Sequence, residues 1–339
     1  MSSARAGASA MARRISLGSL AVTLLAAGCT SAAGPAAGGG TSITVAVIPS
    51  AENAPLTIAV REGLFRDHGL NVEVKTYRSL QPEFEALKNG TVDLAAGDYA
   101  DFFYEDAVGK ASLHLVADGY DSTSDVMEVL TLPGSGITTP QDLLNKVVAT
   151  PEPQLIPSSS GSYTTDSVPY SIETLATESV LNSDGVTPTG VTWKPTPPQK
   201  MIGELRSRQV SAILATEPYI TEAESQLGAF KVMDSCSGPT ANLPLSGYFS
   251  LASYAGAHRS QLEQFRAALG SAQASAAAGG SLQAMLPHLT GMTAQDAALV
   301  TLGSFPTSLS VGQVQRVADL MYDSGVISTP LSVSRLASG

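Results

Sequence analysis

Four short apolar runs in this chain end on polar residues suited to gripping a small molecule. Glu52 and Asn53 follow the run at 43–48, Asp98 and Tyr99 follow 92–96, Tyr120 follows 114–117, and Glu217 follows 210–215. In open α/β sheets, loops at the carboxyl ends of strands form the ligand crevice. The loops at 50–55, 97–101, 118–125, 151–170 and 216–219 contain Glu52, Asp98, Asp101, Asp118, Asp121, Asp125, Glu152, Asp166 and Glu217, but no Arg or Lys. A small anion needs cationic contacts or helix N-termini. Carboxylates beside tyrosines suit a neutral or cationic heteroaromatic ring instead, through stacking and hydrogen bonds to ring N–H or amino groups.

Each candidate binding residue also has a plainer role open to it. Asn53, with Pro55 behind it, either turns its amide to a ligand or caps a helix. Asp98 faces the same choice. Tyr99 and Tyr120 offer a ring face and a polar tip, Tyr120 being equally placed for a surface turn. Ser160, Ser162 and Tyr163 sit in a stretch at 151–169 carrying Pro151, Pro153, Pro157 and Pro169. A loop that long is either a functional lid or a solvated flap. Glu217 precedes Pro218 where a helix begins, and a helix N-terminus favours a carboxylate.

Catalytic signatures are missing. There is no Gly-x-Ser-x-Gly elbow, His-Glu-x-x-His pair or phosphate-binding Gly-rich loop. His68, His114, His258 and His288 are isolated in sequence. The reading is therefore a binding protein, not an enzyme, with no cofactor and no metal.

Composition agrees with a packed, acidic protein. The 339 residues are 43% hydrophobic and 14% charged, with a formal net charge of -11. Such a chain does not seek nucleic acid by electrostatics. Its two cysteines, Cys29 and Cys236, make no disulfide framework. Arg13 and Arg14 precede an apolar run that ends Ala-Ala-Gly-Cys29. This run is too short to span a bilayer of roughly 30 Å and reads as a secretory signal, started from Met1 or Met11. Small residues directly before Cys29 resemble a bacterial lipobox, with Ala26 in place of the usual leucine. The expectation is a signal peptide at 1–28, a lipid on Cys29, a flexible Gly-rich tether over 29–41, and a protein held on the outer face of the cell membrane.

The elements that must position these residues alternate. Strands are expected at 43–48, 72–77, 92–96, 126–132, 146–150, 191–193, 210–215, 230–233 and 248–253. Helical patterns occupy 56–64, 81–88, 171–181, 260–278, 282–287, 293–301 and 311–323. Strand–helix alternation implies parallel sheets with right-handed crossovers.

Several segments then resemble a known family. Asn53-Ala-Pro-Leu, Ala59-Val-Arg-Glu-Gly-Leu-Phe, His68-Gly-Leu-Asn-Val-Glu and Leu87-Lys-Asn-Gly-Thr-Val-Asp-Leu-Ala are similar to the opening of the sulfonate, nitrate and thiamine-precursor binding proteins of ABC importers. The segment from Ile137 to Ala149, then Glu217-Pro-Tyr and Leu243-Pro-Leu-Ser-Gly-Tyr, continue the likeness in order. The resemblance implies an α/β, type II periplasmic-binding-protein fold of two lobes joined by two crossing strands. Lobe one would take 42–131 and 244–339, and lobe two 132–243. It further implies a monomeric clamp that closes on a small-molecule ligand and serves an ABC permease and ATPase. A sulfonate or nitrate-type anion, or a sensory lipoprotein built on the same clamp, are the alternatives. Fungal thiamine-pyrimidine synthases share the fold but carry a Cys-rich run that has no counterpart here.

Overall fold

The computed structural model describes residues 41–151, 171–278 and 281–338. Two five-stranded sheets organise them. The first contains β1 (Thr41–Val47), β2 (Leu70–Thr76), β3 (Leu94–Asp98) and β4 (Leu113–Asp121), together with β10 (Pro244–Leu251). Its order is β2-β1-β3-β10-β4, with β1 parallel to β2 and β3, and β10 antiparallel to β3 and β4. The second contains β5 (Met127–Thr131), β6 (Val147–Pro151), β7 (Thr192–Thr196), β8 (Ala212–Thr216) and β9 (Phe230–Asp234). Its order is β7-β6-β8-β5-β9, with β5 antiparallel to its neighbours.

The local sequence explains these elements. In β1, Ile43, Val45, Ala46 and Val47 are all buried, as expected where helices cover both faces of a sheet. At the sheet edge, β2 alternates partly buried Val72 and Val74 with exposed Glu73. Helices α1 (Ala54–Glu62), α2 (Leu64–Asp67), α3 (Leu80–Lys88) and α4 (Tyr99–Ala107) belong to the first lobe. Gly63 at φ 79° ends α1, a left-handed position that favours glycine. Helices α5 (Ile172–Ser183), α6 (Pro198–Arg206) and α7 (Tyr219–Leu227) flank the second sheet. Ser171 caps α5 by accepting the Thr174 N–H.

After β10 the chain returns to lobe one as α8 (Ala252–Ala257), α9 (Arg259–Ala277), α10 (Ser281–Thr290), α11 (Ala294–Ala297), α12 (Val311–Asp323) and α13 (Val333–Ala337). α9 packs on α1 and α2, with Phe265 stacked on Phe65 at 5.1 Å. Under β10, Phe102 and Phe249 stack at 4.4 Å. A Cβ on Gly247 would lie 2.8 Å from the Tyr99 ring and 3.0 Å from the Ala117 carbonyl oxygen. Only glycine admits that closeness of strand and ring.

Two sequence expectations shift. Residues 126–131 were assigned to lobe one, but β5 pairs along its whole length with β8 and belongs to the second sheet. The first crossing therefore lies between Asp121 and Met127. The helix expected over 293–301 shrinks to α11, capped by Thr293. The second crossing joins β9 to β10. The crossings are bonded to each other: Ser122 N–H donates to Leu243 O, and Leu243 N–H donates to Ser122 Oγ, each at 2.8 Å.

Candidate binding cleft

A cavity of about 310 Å³ opens where the two lobes face each other. Lobe one supplies Ser50, Glu52, Asn53, Glu83, Asp98, Asp101 and Ser246 to its polar lining, and lobe two supplies Ser171 and Glu173. Ile48, Leu80, Ala96, Pro151 and Pro198 make the apolar walls. Among the described residues, this lining holds no Arg, Lys, His, Cys or aromatic side chain.

Four pieces of backbone bring the acids together. The turn between β1 and α1 is closed by Asn53, whose amide donates to Ile48 O at 2.8 Å and to Ser50 Oγ at 3.1 Å. That closure presents Glu52 to the cavity. Asp98 ends β3 and makes no side-chain cap to α4. Asp101 lies in the first turn of α4, Glu83 in the first turn of α3, and Glu173 in the first turn of α5. Helix N-termini favour negative charge, which offsets part of the cost of crowding these groups.

The remainder of that cost is visible in their acidities. Burial, opposed by a Ser246 hydrogen bond and reinforced by Glu173, pushes Glu52 up to about 7. Burial, with repulsion from Glu173 and Glu105, also brings Asp101 to about 7. Asp98 is raised well above the carboxylate range by burial and by Glu52, Asp101, Glu173 and Glu83. Burial raises Glu173 as well. Glu83 differs from the rest. It is 0% exposed, and neither carboxyl oxygen has a hydrogen-bond partner in the protein. Burial first, then Asp101, holds its carboxyl well above the ordinary value.

The sequence profile of the NMT1-like family matches residues 36–279. The chain belongs to the NMT1-like family. Over 199 residues this NMT1-like protein is 28% identical to the bicarbonate transport ATP-binding protein CmpC of Synechocystis sp.. That match covers 56% of the chain and 28% of CmpC, so the chain spans only about a quarter of that relative's length. The fold matches the periplasmic aliphatic sulphonate binding protein SsuA of Escherichia coli with a TM-score of 0.69 and 18% identity, covering 88% of this chain and 97% of SsuA. It also matches the desulfurization enzyme DSZB with a TM-score of 0.63 and 12% identity, covering 88% and 96%. At these identities the likeness is one of fold, and that fold hosts both binding proteins and an enzyme.

The residues expected from sequence to bind ligand are dispersed. Asn53 and Asp98 line the cavity, and Asn53 also pins its loop. Tyr99 does not face the cleft. Neighbours on a strand end point to opposite sides, so with Asp98 turned to the cavity Tyr99 is buried in the core, its hydroxyl donating to Asp118 Oδ1 at 2.7 Å. Tyr120 is buried against Phe305 and accepts the Gly303 N–H. Glu217 lies outside the cavity lining. It accepts the N–H and hydroxyl of Thr221 and the N–H of Thr301, which ties the start of α7 to the chain after α11. Ser160, Ser162 and Tyr163, with the lid they were expected to carry, and Cys29 lie outside the described residues.

Glu83 and Glu173 escaped the loop-based reading because both lie inside helices. The sequence did carry a signal for Glu83. Leu80, Glu83, Phe84 and Leu87 fall at i, i+3, i+4 and i+7, which sets a carboxylate in an apolar stripe. Glu173 shares a face with buried Ala176, Thr177 and Val180 in the same way. Cys236 is buried, and its thiol is pushed up to about 12, first by burial, which leaves it unreactive.

Proposed function

We infer that this protein is the extracytoplasmic solute-binding component of an ABC import system, closing its two lobes on a small neutral or cationic organic molecule. One observation carries the reading: a cavity lined from both lobes, with five carboxyl groups and no cationic side chain in its described lining. Fold and family fit this role. Sulfonate and bicarbonate, named in the descriptions of SsuA and CmpC, are anions. Wherever these acids are ionised they oppose an anion, and no described cation offsets them, so the anionic alternative is the weaker one. The heteroaromatic ring expected from sequence finds apolar walls in Leu80, Pro151 and Pro198 but no aromatic face among the described residues.

We further place the protein as a monomer on the outer face of the membrane, tethered through Cys29. No helix among the described residues is long and apolar enough to cross a membrane. Replacing Cys29 with alanine is expected to release the protein from the membrane fraction. Retention of the variant there, processed as wild type, would exclude the lipid anchor.

The clamp itself is tested by small-angle scattering of the purified protein with and without saturating small molecules. These include whatever compound mass spectrometry finds co-purifying. A smaller radius of gyration on binding is expected. Unchanged curves with every bound compound would overturn the clamp.

A further inference from the structure

We propose, building on the clamp reading, that the ligand is a compact organic cation whose N–H donors pair with the buried Glu83 carboxylate, and that its charge draws Glu173 of lobe two toward the acids of lobe one.

A buried carboxyl with two unpartnered oxygens is costly, and native proteins seldom tolerate it without a use. Glu83 lies against the cavity, and Asp98, Asp101, Glu52 and Glu173 surround the same space. Where Glu105 and Glu128 are buried elsewhere, a lysine stands beside each, Lys110 at 3.3 Å and Lys231 at 3.4 Å. No described side chain of the cavity does this for Glu83, which leaves its two oxygens open to donors carried by a ligand.

The nature of that ligand follows from geometry. Among the described residues no three His, Cys, Asp or Glu side chains converge closely enough to hold a metal ion. The carboxyls are spread over a cavity of about 310 Å³, the lower end of the usual range for small-molecule sites. A quaternary ammonium has no N–H to offer Glu83 and is typically held by an aromatic cage, which the described lining lacks. A primary ammonium or an amidinium provides several donors at once. Its organic body would lie along Ile48, Leu80, Pro151 and Pro198.

The same charges govern closure. Glu173 repels Glu52, Asp98 and Asp101 across the empty cleft. A bound cation turns that repulsion into attraction from both sides, so the ligand supplies the differential interaction that favours the closed form. The groups facing the cavity are Glu52 ahead of α1, Glu83 on α3, Asp98 and Asp101 at the β3–α4 junction, and Glu173 on α5, with Glu105 acting on Asp101 from further along α4. Burial makes all five reluctant to ionise, and repulsion from neighbouring carboxylates adds to it for Glu52, Glu83, Asp98 and Asp101. A cation must therefore displace protons, and its affinity rises with pH.

The test uses the purified full-length protein and three probes of one shape: benzamidine as the cation, benzamide as the neutral form and benzoate as the anion. Calorimetry is expected to show benzamidine binding at least about tenfold tighter than benzamide, with benzoate silent. Benzamidine affinity should tighten about tenfold between about pH 6 and about pH 8. Glu83→Gln should weaken benzamidine by about tenfold or more and leave benzamide unchanged. Asp98→Asn serves as the second variant, with circular dichroism confirming that both fold. Benzamide or benzoate binding as tightly as benzamidine, or benzamidine binding indifferent to both substitutions, overturns the cationic ligand. If the radius of gyration nevertheless falls with such a probe, the clamp stands. Silence toward all three probes, taurine and nitrate, without contraction, overturns both readings.

Discussion

The protein handles its acids in two ways. Away from the cleft, several buried or half-buried carboxylates have cationic neighbours, while Asp118 and Glu217 accept hydrogen bonds from neutral donors. Asp106 pairs with Arg335 and accepts the Leu113 N–H, Glu105 has Lys110, and Asp125 and Glu128 share Lys231. In the cleft, five acids converge without one described cation. The outer pairs join segments distant in sequence, such as α4 to α13 and β5 to β9. The inner set joins nothing, and its members weaken one another. Structure here is stabilised by pairing, whereas the cleft acids have no described counter-ion and hold their protons to higher pH.

The contrast predicts an unusual pH dependence for the empty protein, and this is the largest effect expected. Glu52 and Asp101 rise from their ordinary values of 4.5 and 3.8 to about 7 in the folded state. Folded protein then holds more protons than unfolded protein between those limits, so the contribution to stability is full below about pH 4 and is lost as pH rises through about 7. Asp142 works in the opposite direction. Hydrogen bonds from the Thr138 and Thr139 backbone lower it to about 2, so its contribution is present above its ordinary value and lost as pH falls through about 2. Differential scanning calorimetry should find the melting temperature higher by about 4–8 °C at pH ~5 than at pH ~8. A flat profile over that range would remove the distinction between the two sets of acids.

Single substitutions sharpen the comparison further. Glu83→Met should stabilise the empty protein by about 1–3 kcal/mol in urea unfolding, because a buried carboxyl with no hydrogen-bond partner is replaced by an apolar side chain of similar length. Destabilisation of that size would mean that Glu83 already has a structural partner. Asp106→Asn should cost about 1–2 kcal/mol by weakening both the Arg335 pair and the Leu113 bond. Lys231→Met should cost least, about 0.5–1 kcal/mol, since the lysine side chain is 40% exposed and solvent screens its pairs. Denaturant melts of the three variants side by side would show whether signs and ranking hold.

Much of this architecture was legible in the sequence. Alternation located β2, an apolar stripe located α3, and the strands expected at 146–150, 191–193, 210–215 and 230–233 anticipated most of the second sheet. The acidic character of the cleft was legible too, because Glu52, Asp98 and Asp101 follow strands. What escaped was direction. Nothing local indicates which of Asp98 and Tyr99 turns to the cavity, since that depends on how β3 sits beside β10. Gly247 leaves the space on the core side that the Tyr99 ring fills, and that contact joins residues far apart in the chain. The lobe boundary slipped for a similar reason, because the strand at 127–131 is apolar enough for either sheet and only its pairing with β8 assigns it.

The paired bonds between Ser122 and Leu243 carry a consequence for motion. They join one crossing segment to the other, and neither bond reaches into a lobe. Under the proposed clamp motion the two crossings would therefore turn together, as a single hinge pin. That pin is seated on lobe one by Arg316 of α12, which donates to the carbonyl oxygens of Pro239, Ala241 and Asn242.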